Sequence, residues 1–506
     1  MKKIFCLLPL CLALHTASSQ QSNSNIIQVN IDLQKTAQTI RNFAASDAWA
    51  GQFTGNWPDS KRNQIADWLF STDTTAGGQP KGIGLSMWRF NIGAGSAEQG
   101  NNSGIKDEWR RAESFLQENN TYNWKKQSGQ LWFLQAAKQR GVTQFLGFLN
   151  SPPVAYTLNG KAFADKGLSN LPQKNYTAVA LFLKDVIQGI HSATGVQLNY
   201  ISPVNEPQWD WSDGGQEGCP YNNEQIAGFT KAISKTFSEA KLPTKILVTE
   251  AGKINYLYAP EDKPDRGSQI NAFFAPHSAA YIGNLPNVYK GIAAHSYFTT
   301  SPEDTAIAIR KRLHTALNGL EFWQSEYCIL GDNAGEINGS GADLGMDAAL
   351  YMARVIHSDL TIANAAAWQW WLAISPYNYK DGLIYIDKNK TDGQPRDSKM
   401  MWVLGNYSRF IRPGAKRVQA DMSNGAASRD LYLSAYKNKD NTLRIVVINN
   451  GSTAATANIH CKGLKPGSMR SYTTSAAGNL QPGDVPGNTV VIPPRSVVTL
   501  TGNIKQ

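Results

Sequence analysis

The sequence predicts an α/β chain, a (β/α)8 TIM barrel with a side β-sandwich, from three observations. Between about residues 36 and 404, eight short apolar stretches alternate with longer stretches of helical period. Eight such alternations argue for a closed parallel barrel rather than an open sheet. From about Gly405 the helical period stops, and strand-like runs separated by Gly, Asn, Pro and Ser take over, as an antiparallel sandwich requires. Finally, Ile27, Val29 and Ile31 alternate with polar residues, giving an early strand one apolar face and no partner before the barrel begins. This strand is expected to join the C-terminal sandwich, so that 20–35 and 405–506 form one side domain and 36–404 the barrel.

The barrel strands are expected at 39–44, 84–91, 144–150, 200–205, 245–250, 291–297, 321–326 and 365–371. The clearest helix covers 176–190, where Val179, Phe182, Leu183, Val186, Ile187 and Ile190 make one apolar stripe. Leu131, Leu134 and Ala137 mark another, stopped at Gly141, and 346–362 a third. In the sandwich, 431–436, 443–448 and 496–500 read as strands.

Residues 1–19 read as a secretory signal. Lys2 and Lys3 precede a short apolar run over 4–14, and Ala17-Ser18-Ser19 offers small residues for cleavage near Gln20. The expected location is therefore secreted, periplasmic or cell-surface. No run approaches the ~20 apolar residues of a membrane span. The net charge of +10 is spread along the chain, whereas a nucleic-acid partner wants a clustered basic stripe. Outside the signal segment three cysteines remain, Cys219, Cys328 and Cys461. An odd number is no disulfide scaffold; Cys219 and Cys328 are either bridged or free buried thiols. No His/Cys/Asp spacing suggests a metal site, and neither a phosphate-binding glycine loop nor a Gly-x-Ser-x-Gly elbow is present. The expectation is a monomer without metal or cofactor. Fourteen Trp and nineteen Tyr suit either a large aromatic core or a ring-shaped polar ligand.

Polar and aromatic residues gather at corresponding ends of the expected strands, on the face where barrel sites form. Two carboxylates stand out. Tyr200-Ile201-Ser202-Pro203-Val204-Asn205-Glu206 ends the fourth strand, and Glu321-Phe322-Trp323-Gln324-Ser325-Glu326 ends the seventh. Carboxyls on opposite sides of a barrel mouth can flank a glycosidic bond, one giving a proton and one attacking. Glu206 is the candidate acid/base, with Asn205 beside it to bind a sugar hydroxyl. Glu326 is the candidate nucleophile, with Arg89 to keep it ionised and Tyr297 to donate a hydrogen bond. Glu250, ending the fifth strand, is the rival carboxylate. His295 and Asn150 are expected as polar cleft residues. Among eight tryptophans near strand ends, Trp209, Trp211 and Trp370 are expected to stack on sugar rings.

These residues carry a resemblance. Ser86-Met87-Trp88-Arg89-Phe90-Asn91, Asn150-Ser151-Pro152-Pro153, Ser202-Pro203-Val204-Asn205-Glu206-Pro207, His295-Ser296-Tyr297 and Trp323-Gln324-Ser325-Glu326 are similar to glycoside hydrolase family 30 over nearly the whole chain. The resemblance implies retaining hydrolysis of a polysaccharide or oligosaccharide, with Glu206 as acid/base and Glu326 as nucleophile. The family often has Trp soon after Ser-Pro-Pro; here Val154-Ala155-Tyr156 follows. Within the family, Pro207-Gln208-Trp209-Asp210-Trp211 followed by Gln216-Glu217-Gly218-Cys219 looks like the endo-β-1,6-galactanase branch, which acts on side chains of arabinogalactan. Endo-β-1,6-glucanases and glucuronoxylanases share the same carboxylates. A non-catalytic carbohydrate-binding protein is the reading from another class, and two intact carboxylates argue against it.

Overall fold

The computed structural model describes residues 26–331, 333–423 and 428–505. The expected signal segment lies outside them. The first strand, β1 (Ile26–Thr39), is followed by eight barrel strands: β2 (Asn42–Ser46), β3 (Met87–Asn91), β4 (Gln144–Phe148), β5 (Tyr200–Ser202), β6 (Lys245–Ala251), β7 (Val288–His295), β8 (Glu321–Glu326) and β9 (Ala367–Ser375). Neighbours pair in parallel along this order, and β9 pairs with both β8 and β2, which closes the barrel. Helices cover the outside, so strands such as β3 are buried on both faces and read as continuous apolar runs. The helix Tyr176–Thr194 lays its predicted stripe on the barrel and ends at Gly195, whose φ of 70° suits a residue without a Cβ. The helix Asn223–Glu239 starts at a reciprocal cap between Asn222 and Gln225.

The first barrel strand lies at 42–46 rather than 39–44. The cause is β1, which stays paired as far as Thr39 opposite Lys416. The barrel can begin only after the chain has turned at Ile40 and Arg41.

Two short strands, β10 (Gly382–Tyr385) and β11 (Arg396–Asp397), extend the barrel sheet beyond β9. The side domain contains β12 (Lys416–Met422), β13 (Leu431–Lys437), β14 (Thr442–Asn449), β15 (Ala455–Cys461), β16 (Arg470–Ser475), β17 (Gly478–Asp484), β18 (Thr489–Ile492) and β19 (Ser496–Asn503). The early strand joins it: β1 runs antiparallel to β12 and parallel to β15. Ile27, Val29 and Ile31 are buried against the side-domain core with Leu433, Ile445 and Ile459. Each such side chain contributes about 1.5–3 kcal/mol when buried, which is what places β1 here. The helix Lys399–Ser408 couples the two parts. Its Asn406 donates to the Tyr472 carbonyl and the Thr499 hydroxyl, both at 3.0 Å.

Cys219 and Cys328 are both free and buried. Among the described residues no helix is long and apolar enough to cross a membrane.

Candidate active site

The site is built around Arg89, wholly buried on β3. A guanidinium out of water must be matched by anions and hydrogen bonds, and three side chains supply them. Arg89 donates to Glu326 Oε2 at 2.7 Å and to Asn205 Oδ1 at 3.1 Å, and it is ion-paired with Glu250. The aromatic face of Phe148 lies 3.6 Å from the guanidinium carbon. One planar fork thus reaches groups carried by β8, by β6 and by the loop after β5, a reach that lysine lacks.

Glu206 lies just beyond β5, where the chain leaves the barrel. Its φ of 46° is left-handed, a conformation uncommon outside glycine. Its N–H donates to the Glu250 carbonyl at 2.8 Å, which holds that backbone shape. Glu326 ends β8 and accepts from the Tyr297 hydroxyl at 3.0 Å. His295, at the end of β7, sits between the carboxylates. Its Nδ1 is 2.9 Å from Glu206 and 3.5 Å from Glu326, while Nε2 is 3.3 Å from Glu250. One ligating atom from each of Glu206, His295 and Glu326 falls within 4.8 Å of the other two. Such closeness is what attack by one carboxylate, rather than by a water held between two, requires.

Burial opposes the charge on His295, but Glu326, Glu206 and Glu250 outweigh it and push the imidazole up to about 10. The ring is then an imidazolium at neutral pH and donates from both nitrogens to the carboxylates around it. Burial also works against ionisation of Glu250, yet Arg89 and His295 bring its carboxyl below the usual range. At Glu326 burial is the largest influence and raises the carboxyl; His295 and Arg89 pull it down, and repulsion from Glu206 and Glu250 adds to the rise. Three carboxyls and two cations sum to zero charge when the cluster holds one further proton. Such a proton belongs to the coupled set.

The charge on His295 has a consequence for stability. Its folded value lies above the unfolded one near 6.5. The stability it contributes is therefore complete below about pH 6.5 and is lost as pH rises through about 10. The gap in urea midpoint between wild type and His295→Gln is expected to shrink steadily from pH 7 to 10. A gap that stays constant would refute the charged ring.

Of the other expected site residues, Trp209 and Trp211 are half-buried beside Glu206. Trp211 donates from its indole to the Glu206 carbonyl at 3.0 Å. Trp209 stands edge-on to Tyr256 and Phe298. Asn150 is buried and donates to Asn91 at 3.3 Å, with its own Oδ1 unpartnered. Two expectations need correction. His295 is not an open cleft residue but is fully buried. Trp370 does not line the cleft: it is fully buried, stacks on Trp368 and donates to the Asp381 carbonyl at 2.7 Å. Trp371 takes the cleft position, edge-on to Trp49 at 5.3 Å between centroids. Strand alternation held the clue. Gln369 points inward to Asn42 and Met87, so 371 shares its face and 370 does not. Arg110, at the end of the 3-10 turn Glu108–Arg110, and Tyr377 and Asp381, on loops, also line the cleft and carry no periodic signal.

Comparison with known proteins agrees with this architecture. Residues 26–385 match the model of O-glycosyl hydrolase family 30, and 414–500 match the glycosyl hydrolase family 30 beta sandwich domain. The chain is 25% identical over 419 residues to an endo-beta-1,6-galactanase of Hypocrea rufa, covering 79% of this chain and 78% of that one. It is 23% identical to the glucuronoxylanase XynC of Bacillus subtilis (strain 168), over 99% of each. Among solved structures, a conserved exported protein from Bacteroides fragilis superposes with a TM-score of 0.87 at 33% identity, over 94% of this chain and all of that one. A barrel of this strand order carrying a sandwich that matches that family's own domain places the chain in glycoside hydrolase family 30.

Proposed function

We propose that this glycoside hydrolase is a secreted enzyme that cleaves β-1,6-galactan, as an endo-β-1,6-galactanase, by double displacement with retention. The observation that carries the mechanism is the placement of Glu206 and Glu326, both held by one buried imidazolium. Glu326 accepts hydrogen bonds from Arg89 and Tyr297, which favour its anion. Among the described residues the Glu206 carboxyl meets only His295, which leaves an oxygen to face the leaving-group oxygen, so Glu206 takes the acid role. Glu206 then protonates the leaving-group oxygen while Glu326 attacks the anomeric carbon, forming a glycosyl-enzyme. Glu206, now a base, draws a proton from water to release the sugar. Asn205, with Oδ1 anchored by Arg89, has its Nδ2 hydrogens available for a hydroxyl next to the reacting carbon. The galactan reading rests on the likeness to the Hypocrea rufa enzyme and on the stretch from Gln208 to Cys219. In this reading residues 1–19 direct export, and the first strand, which stays in the side-domain sheet as far as Thr39, forms the side domain together with 405–506.

Digestion of a panel of defined β-linked polysaccharides, followed by proton NMR of the first product, tests both parts. De-arabinosylated arabinogalactan is expected to be cut internally, giving the β anomer first. An initial α anomer would refute double displacement. Faster turnover of β-1,6-glucan or glucuronoxylan would refute the sugar.

A further inference from the structure

Beside Glu326 the barrel mouth opens into a cleft of about 490 Å³ whose walls include Trp49, Arg110, Gln216, Trp371, Tyr377 and Asp381. Cys328 lines it too and lies 3.8 Å from the Tyr297 hydroxyl that donates to Glu326. Most of these walls come from loops after β2, β3, β8 and β9, across the mouth from Glu206. An acid must face the leaving-group oxygen, so the departing sugar lies on the Glu206 side. This cleft then receives the sugar that is attacked.

Two groups in it have capacity left for a ligand. Asp381 is 7% exposed, and its Oδ1 has no hydrogen-bond partner. A buried acceptor left unpaired costs about 1–3 kcal/mol, and a hydroxyl donor from a ligand removes that cost. The Arg110 guanidinium stacks on Trp49 at 4.8 Å and on Tyr377 at 5.2 Å. Among the described residues no carboxylate lies within ion-pair distance of it. Tyr377 is itself pinned, donating to Asp107 at 3.0 Å. An acceptor, a planar donor and aromatic walls in one cleft match the hydroxyls and the apolar face of a pyranose ring. Burial pushes the Asp381 carboxyl up to about 7; a neutral sugar hydroxyl can pair with it in either protonation state, whereas a sugar carboxylate would be repelled by its anion.

We infer that Asp381 and Arg110 are the specificity-determining pair of the subsite on the non-reducing side of the cut bond, and that this subsite takes an uncharged pyranose whose hydroxyls donate to Asp381 and accept from Arg110. The inference rests on the retaining β-glycosidase reading and adds the chemistry of the bound sugar to it.

The test is calorimetric titration of the full chain, made inactive by Glu326→Gln, with β-1,6-galactotriose. Adding Asp381→Ala or Arg110→Gln is expected to weaken binding roughly ten- to a hundredfold, as loss of a hydrogen bond to a charged group does. Asp381→Asn keeps the shape and one acceptor oxygen, so its loss should be smaller. If the alanine variant does not fold, the asparagine and Arg110 variants decide. Affinity within twofold of the parent in the folded variants would overturn the pair. Tighter binding of a trisaccharide ending in a glucuronic acid would overturn the uncharged sugar. If galactotriose does not bind the parent, the galactan reading fails by itself. The titration is then repeated with a neutral fragment of whichever polysaccharide the wild type cleaves, and the same criteria apply.

Discussion

Replacing Glu326 by Gln is expected to lower kcat/KM at least about ten-thousandfold, or about 5 kcal/mol of transition-state stabilisation. The substitution keeps shape and volume but removes the charge proposed to attack the anomeric carbon. Arg89 keeps its partner Glu250, so the fold should survive. Glu206→Gln is expected to be as damaging on a polysaccharide, where the departing sugar needs a proton. The two variants part on an aryl glycoside whose leaving group departs without protonation. There Glu206→Gln should still form the glycosyl-enzyme and stall at its hydrolysis, giving a burst of released phenol. Glu326→Gln should give no burst. Comparable bursts from both, or turnover by Glu326→Gln within tenfold of wild type, would reverse or remove the assigned roles.

The second large effect is structural as well as catalytic. Arg89→Met is expected to destabilise the fold by about 3–5 kcal/mol and to abolish turnover. It leaves Glu250, wholly buried, and Glu326, nearly so, without their guanidinium, and breaking a buried pair from one side costs about that much. Arg89→Lys should recover little, because one ammonium cannot span both carboxylates and Asn205. Adding Glu250→Gln to Arg89→Met should regain part of the stability by removing one stranded charge. Urea unfolding of the three variants checks this. A single Arg89→Met within about 1 kcal/mol of wild type would show that the cluster tolerates its anions unaided.

The barrel was legible because its strands are two-sided apolar runs of fixed polarity at one end. The segment from Glu321 to Glu326 read as a strand with a carboxylate at its end, and β8 has those bounds. The sandwich was legible where alternation is strong, as at Leu431 to Lys437, and faint at β16 to β18, where Pro482 and Gly483 interrupt the pattern. Long-range pairing left no local mark: nothing near Ile27 says that it will lie parallel to Ala457. The site divides in the same way. Glu326 ends its strand, Glu206 lies just past one and Arg89 two residues before the end of another, so all three could be found by position. The depth of His295 could not, because burial between three carboxylates belongs to the assembled mouth and not to the local sequence.

The pairing of β1 fixes an order of assembly. Val29 waits for Met422 and Ile459, so during synthesis the first strand leaves the ribosome long before either neighbour exists. The barrel, whose strands each meet the next in sequence, can close while that strand is still an open edge. Closing a loop over so much chain is slow, and an unpaired apolar edge is where chains stick to one another. Shortening the protein from its C-terminus should therefore yield aggregates rather than a smaller enzyme, even where every residue of the reacting centre is present.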